Sequence, residues 1–166
     1  MRILMLGDIC GNAGVKIVKT RLKEIIKEKK IDFTIANGEN AAENGKGITK
    51  SNYKDLISAG VDVITSGNHI WDQKDILDII DQEKKIIRPA NFLEGVPGNG
   101  YGIYEIKNKK IAVINLIGNV FMKKSQDLFS FTEKIIKKIK LKKNADFMVI
   151  DIHGEITSEK MALGHF

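Results

Sequence analysis

The sequence has 166 residues, with 27 Lys+Arg against 21 Asp+Glu and a formal charge of +6. At 43% hydrophobic and 29% charged it excludes a disordered chain. A single cysteine, Cys10, excludes a disulfide framework and a cysteine-built zinc site, and only two prolines exclude a Pro-rich linker.

Ile3 to Leu6 is a short apolar run ended by Gly7-Asp8, and it predicts a buried strand. The run is too short for a signal-peptide core, and a spanning helix needs about 20 residues, so the expectation is no membrane segment and a cytoplasmic location. Val15, Val18, Leu22, Ile25 and Ile26 recur at helical spacing. Phe33 to Ala36 predicts a second strand, ending at Asn37-Gly38-Glu39-Asn40. Thr49 or Ser51 is placed to cap a helix through Ala59, with Gly60 as its stop. Val61 to Thr65 predicts a third strand, followed by Gly67-Asn68-His69 and a short helix carrying Ile76, Ile79 and Ile80.

Arg88-Pro89-Ala90-Asn91 reads as a strand end and loop, and five residues from Gly95 to Gly102 are Gly or Pro. Tyr101 to Ile106 and Ile111 to Leu116 flank Lys107-Asn108-Lys109-Lys110 as a hairpin. A helix is expected over Phe131 to Ile139, then a strand over Phe147 to Ile152 closed by His153. The pattern is α/β, one domain over residues 1–166, with a largely parallel sheet and at least one antiparallel hairpin.

The basic charge is local. Lys107 to Lys143 holds 11 lysines and two acids, leaving 16 basic and 19 acidic residues elsewhere. With 24 lysines to three arginines, and as many isoleucines as basic residues, the stretch reads first as a solvated lysine face.

Asp8, Glu39-Asn40, Asn68-His69 and His153 each lie at or just past the carboxyl end of a predicted strand. Ligands bind at that edge of open α/β sheets, so four separated clusters are expected on one rim. Carboxylates, carboxamides and imidazoles make a mixed oxygen and nitrogen donor set, suited to Mn²⁺, Fe or Zn²⁺ rather than Cu⁺. Such a set can serve phosphoryl transfer, with an imidazole protonating the leaving oxygen. The bland readings are turn or cap residues for Asp8, Asn40 and Asn68, and core or surface histidines for His69 and His153.

The motifs occur in a specific order: Gly7-Asp8, Asn37-Gly38-Glu39-Asn40-Ala41-Ala42, Gly67-Asn68-His69 with Trp71-Asp72, Arg88-Pro89-Ala90-Asn91-Phe92, and Asp151-Ile152-His153-Gly154-Glu155 with Thr157-Ser158-Glu159-Lys160. This set resembles the YmdB branch of the calcineurin-like metallophosphoesterases, from Met1 to Phe166. The resemblance implies a metallophosphoesterase-type αββα sandwich and a two-metal phosphodiesterase acting on cyclic nucleotides, the 2′,3′-cyclic ones foremost. It implies two divalent cations, Fe or Mn before Zn. It further implies Asp8, Glu39, Asn40, Asn68 and His153 as metal ligands, with Glu39 bridging, and His69 as the catalytic imidazole.

Two departures accompany the resemblance. Asp8-Ile9-Cys10 stands where the wider superfamily often has Asp-x-His, and Cys10 is expected to be a packed small side chain. The family's later Gly-x-His-x-His motif does not occur before Phe166. The expectation is therefore the first portion of the enzyme, with the C-terminal part of the second sheet missing. His165, at a predicted helix end, is not expected to replace those histidines. Arg88 is expected in a structural ion pair, Trp71 in loop packing, and Glu155 and Glu159 near the site or on the surface. The expected partners are a cyclic nucleotide or other phosphodiester, RNA through the basic stretch, and a second copy of the chain. The alternative reading is a catalytically dead fragment, or an RNA-binding or regulatory module. A serine esterase fails because Ile9, not serine, follows Asp8. A dinucleotide fingerprint over Gly7, Gly11 and Gly14 lacks its first-position glycine geometry and a ribose-binding acid.

Overall fold

The structure is a computed structural model that describes residues 1–122 and 124–166. In chain order its elements are β1 (Ile3–Asp8), α1 (Gly11–Lys29), β2 (Phe33–Asn37), α2 (Lys50–Ala59), β3 (Val63–Thr65), β4 (Tyr101–Ile106), β5 (Lys109–Ile117), α3 (Leu128–Lys138), β6 (Phe147–His153) and α4 (Thr157–His165). A short 3₁₀ helix, Lys74–Asp78, stands where the short helix carrying Ile76 was expected.

The strands form two sheets, as the αββα sandwich implied by the resemblance requires. β1, β2 and β3 are parallel neighbours in that order. β4 pairs antiparallel with β5, and β5 pairs parallel with β6. The sheets face one another across Phe33, Ile35, Val63, Ile87, Ile111 and Val113. The outer face of the first sheet packs on α1 and α2 through Val15, Val18, Leu22, Tyr53 and Leu56. The outer face of the second packs on α3 through Ala112, Ile114, Leu116, Leu128 and Ile135, with Leu163 of α4 alongside. The layering is therefore αββα. It explains the unbroken apolar run Ile111 to Ile114: alternate residues of β5 serve the inter-sheet core and the α3 side, so neither face tolerates a regular polar alternation.

β1 departs from its expectation as a buried strand. It lies at the edge of the first sheet, with Ile3 36% and Met5 46% exposed, while Leu4 and Leu6 pack against the α1 side. The inter-sheet cluster takes residues from β2 and β3 but none from β1.

Local chemistry sets the boundaries. Thr49 caps α2 by accepting from the Asn52 N–H at 3.0 Å, and Asn52 returns a bond from its own side chain to the Thr49 N–H. Gly60 ends α2 at φ 113°. Lys107 and Asn108 have φ of 50° and 62°, so the hairpin turns in two residues, and Lys109 and Lys110 already belong to β5. α3 starts three residues before the expected Phe131 because Asp127 caps it, accepting from the Ser130 N–H at 2.8 Å and from the Ser130 hydroxyl.

Those two bonds, the hydroxyl's first, hold the Asp127 carboxyl below the usual carboxylate range. A group whose folded-state pKa is lowered contributes stability that is fully present above its unfolded pKa. That stability is lost as pH falls through the lowered folded-state value. The melting temperature should therefore fall on acidification, and Asp127→Asn should remove part of that dependence. An identical acid slope in the variant would contradict the assignment.

The lysine-rich stretch spreads over the hairpin, α3 and the turn before β6. Lys107 pairs with Asp32, Lys109 with Asp146 and Lys137 with Glu133. Lys123 lies outside the described residues. No helix among the described residues is long and apolar enough to cross a membrane.

Candidate active site

Three parallel strands in the first sheet and the parallel pair in the second end at one rim. Asp8 and His153 are the last residues of β1 and β6. Glu39 and Asn40 follow β2, and Asn68 and His69 follow β3. A register shift between Leu6 and Asp8 separates Asp8 from the regular ladder. All six residues expected from the sequence are brought together.

Glu39 is at the centre. It is only 1% exposed. Its Oε1 accepts the His69 N–H at 3.0 Å and lies 3.4 Å from His69 Nδ1. Its Oε2 is buried and accepts no hydrogen bond; His153 Nδ1 stands 2.7 Å away but outside hydrogen-bonding alignment. The other ring nitrogen of His153 lies 2.9 Å from Asn68 Oδ1. On the far side, Asn40 Nδ2 donates to Asp8 Oδ2 at 2.9 Å, and Asn40 Oδ1 is 3.2 Å from His69 Nδ1. Asp8 as a carboxylate only accepts, so the amide nitrogen of Asn40 faces it and the amide oxygen faces His69. That assigns the proton to His69 Nδ1 and leaves Nε2 for a ligand.

Gly67 makes this arrangement possible. A Cβ there would stand 2.5 Å from Glu39 Cδ, closer still to Oε2, and 2.6 Å from His153 Cδ2. The Glu39 carboxylate and the His153 ring thus approach each other over a residue with no side chain. An orphaned buried carboxylate oxygen in that position fits a cation, because bare lone pairs in a low-dielectric pocket are costly without one. Among the described residues no three of His, Cys, Asp and Glu by themselves form a metal-holding group. Any cation here would draw on the amide oxygens of Asn40 and Asn68 as well.

The surrounding residues correct several expectations. Cys10 is exposed, not packed: it precedes α1 without a side-chain cap, and Ile9 turns inward in its place. Arg88 makes no ion pair among the described residues; Nη1 and Nε donate to the Pro89 and Pro97 carbonyls at 2.7 and 3.3 Å. Trp71 packs on Phe92, ring centroids 5.1 Å apart, as expected of loop packing. Asn91 is fully buried and clamps Ile117 from both sides, donating to its carbonyl at 2.7 Å and accepting from its N–H at 2.9 Å. Glu159 is buried and accepts the Asn119 N–H at 2.7 Å, whereas Glu155 is exposed. His165 is the exposed last residue of α4.

The sequence reading missed what joins the two sheets at the rim. Asn115 of β5 is fully buried. Its Oδ1 accepts the Ser66 N–H at 3.0 Å, its Nδ2 donates to the Asp151 carbonyl at 3.3 Å, and its own carbonyl accepts the Ala90 N–H at 2.7 Å. The Thr65 hydroxyl donates to the Asp151 carboxylate. These bonds tie the segment that carries Asn68 and His69 to the strand that carries His153. The available signal was one carboxamide inside the otherwise apolar run Ile111 to Ile117.

A family model described as YmdB-like protein matches residues 4–166. This chain belongs to the YmdB-like family. A 2′,3′-cyclic-nucleotide 2′-phosphodiesterase from Bacillus subtilis is 45% identical over 166 residues, covering 100% of this chain and 62% of that protein. The chain thus spans under two thirds of that relative's length. A solved structure of a hypothetical protein from Thermus thermophilus superposes with TM-score 0.91 at 36% identity, over 99% of this YmdB-like chain and 62% of the other. The NAD nucleotidase of Haemophilus influenzae shares the fold, with TM-score 0.68 at 16% identity over 97% of this chain and 39% of that one.

Proposed function

We propose that this chain carries the catalytic rim of a cytoplasmic metal-dependent phosphodiesterase that hydrolyses 2′,3′-cyclic nucleotides with two divalent cations, Fe or Mn. The observation that carries the reading is Glu39: a buried carboxylate with one orphaned oxygen, ringed by Asp8, Asn40, Asn68, His69 and His153. The named activity of the Bacillus subtilis relative supports the substrate class.

Asp8, Glu39, Asn40, Asn68 and His153 would hold the cations, with Glu39 bridging. When bound, the cations supply Lewis acidity to the phosphoryl oxygens and the attacking water. His69, held by Asn40 through Nδ1, presents Nε2 to the leaving oxygen. The water's oxygen bonds to phosphorus and one ribose–phosphate bond breaks; the departing ribose oxygen takes a proton from His69 Nε2, and the proton the water gives up restores it, so Nδ1 stays bonded to Asn40 throughout. Asn40 keeps His69 in that orientation through its second bond to Asp8.

The test is metal content by elemental mass spectrometry after reconstitution with Mn²⁺ or Fe²⁺, paired with hydrolysis of 2′,3′-cyclic AMP with and without chelator. About two metals per chain are expected. Full hydrolysis after chelation overturns the reading. His69→Ala should cut turnover by about 10²- to 10⁴-fold with metal content intact, while His153→Ala should lower metal content itself. Equal metal loss in both variants contradicts these roles.

A further inference from the structure

A second recess lies away from the rim, between α3 and the segment from Arg88 to Tyr101. It has a volume of about 260 Å³, and none of the six rim residues lines it. Its apolar walls include the rings of Phe92, Tyr101 and Phe131, and its charged groups are Arg88, Lys134, Lys138 and Glu94.

Three features point to an anionic ligand with a flat ring. The first is positive charge without a carboxylate counter-ion. Of the lysines in the same stretch, Lys107, Lys109 and Lys137 have carboxylates within 4.0 Å. Among the described residues, Arg88, Lys134 and Lys138 have none. Arg88 is also half-buried: loss of solvent lowers its pKa, partly offset by Asp81. A partly desolvated guanidinium gains most from a phosphate, and it has the planar geometry for one. The second is the arrangement on α3. Phe131, Lys134, Ile135 and Lys138 recur at helical spacing, so ring and ammonium groups line one face of the recess. Lys138 Nζ already lies 5.3 Å from the Tyr101 ring centroid, so a cation and an aromatic face stand together. The third is size. At about 260 Å³ the recess lies just below the range of about 300 to 1,000 Å³ usual for ligand pockets, so it limits the occupant to one ring system with its phosphate at the open edge and excludes a dinucleotide.

We propose that this recess is a binding site for a nucleoside monophosphate, separate from the rim and independent of the reaction assigned there. The base stacks among Tyr101, Phe131 and Phe92. The phosphate is met by Arg88, Lys134 and Lys138. Glu94 and Gln126 also line the recess; the Gln126 Nε2 donates to the Phe92 carbonyl at 3.0 Å, which leaves its amide oxygen for the polar edge of the base.

Trp71, the only tryptophan, packs on Phe92 and so reports on the recess. Fluorescence and calorimetric titrations of the full chain should use adenosine 3′-monophosphate, adenosine and inorganic phosphate, in the presence of chelator to exclude metal-dependent binding at the rim. The nucleotide is expected to bind more tightly than adenosine or phosphate. The double substitution K134Q/K138Q, on the helix surface, should weaken it by about tenfold or more, as loss of charged hydrogen bonds requires. Phe131→Leu should weaken the nucleotide but leave phosphate unchanged. The proposal is overturned by no binding, by equal affinity for phosphate and nucleotide, or by unchanged nucleotide affinity in K134Q/K138Q. A third control is Glu39→Gln, which alters the rim alone: unchanged nucleotide binding supports the recess, and abolished binding assigns the nucleotide to the rim instead.

Discussion

Gly67→Ala should empty the rim of metal and reduce turnover by about 10²-fold or more, because a displacement of about 1 Å at a catalytic centre has that effect. Gly67 is not among the glycines with positive φ, so alanine's backbone preferences are not the obstacle. Space is. The new methyl would overlap the Glu39 carboxylate and lie 2.6 Å from His153 Cδ2. Neither neighbour can yield cheaply. Glu39 is enclosed and its Oε1 is held by the His69 N–H, while His153 is fixed between Glu39 and Asn68. Relief requires pushing apart the two groups assigned to hold the cations. Overpacking adds a stability cost of about 1–3 kcal/mol. Elemental analysis after reconstitution and a urea midpoint measure the two effects separately. Wild-type metal content in the variant would show that Glu39 and His153 do not act together on a cation.

Asn115→Leu is the second large effect, and it acts through the sheets rather than the rim. Leucine is similar in volume but removes both polar atoms. The buried Ser66 N–H loses its acceptor, costing about 1–3 kcal/mol, and the Asp151 carbonyl loses a donor. Chemical denaturation should show a lower midpoint with an unchanged slope. Metal content should fall as well, since Ser66 precedes Gly67-Asn68-His69 and Asp151 precedes His153 by two residues. Thr65→Val removes the neighbouring link from the first sheet to the Asp151 carboxylate. The two residues share Asp151, so their effects should be non-additive in a double-mutant cycle. An Asn115→Leu midpoint equal to wild type would mean that the sheets are held at the rim without it.

The elements were largely legible from local pattern. Val15, Val18 and Leu22 are the buried stripe of α1, Thr49 and Gly60 bound α2, and the hairpin falls on the expected strands. Such signals depend on neighbours a few residues apart. The errors have non-local causes. Ile3 to Leu6 was apolar enough for a buried strand, yet β1 is an edge, and an edge is defined by which strands pair. Arg88 was assigned an ion pair, but its guanidinium reaches backbone carbonyls across the turn. Cys10 was expected inside, but Ile9 took the inward position at the strand end.

The site divides in the same way. Strand, polar cluster, helix, repeated along the chain, was enough to place Asp8, Glu39, Asn40, Asn68, His69 and His153 on one rim, because parallel strands put their carboxyl ends together. Their order along the chain was enough to identify the family. Tertiary structure alone decided that Glu39 is buried with an unbonded oxygen and that Gly67 is the gap through which Glu39 and His153 meet. It also decided that Asn115 bridges the sheets and that Arg88, Lys134 and Lys138 border one recess. The physical reason is distance along the chain: Glu39 and His153 lie 114 positions apart in the sequence, and only the closing of the sandwich brings their side chains into contact.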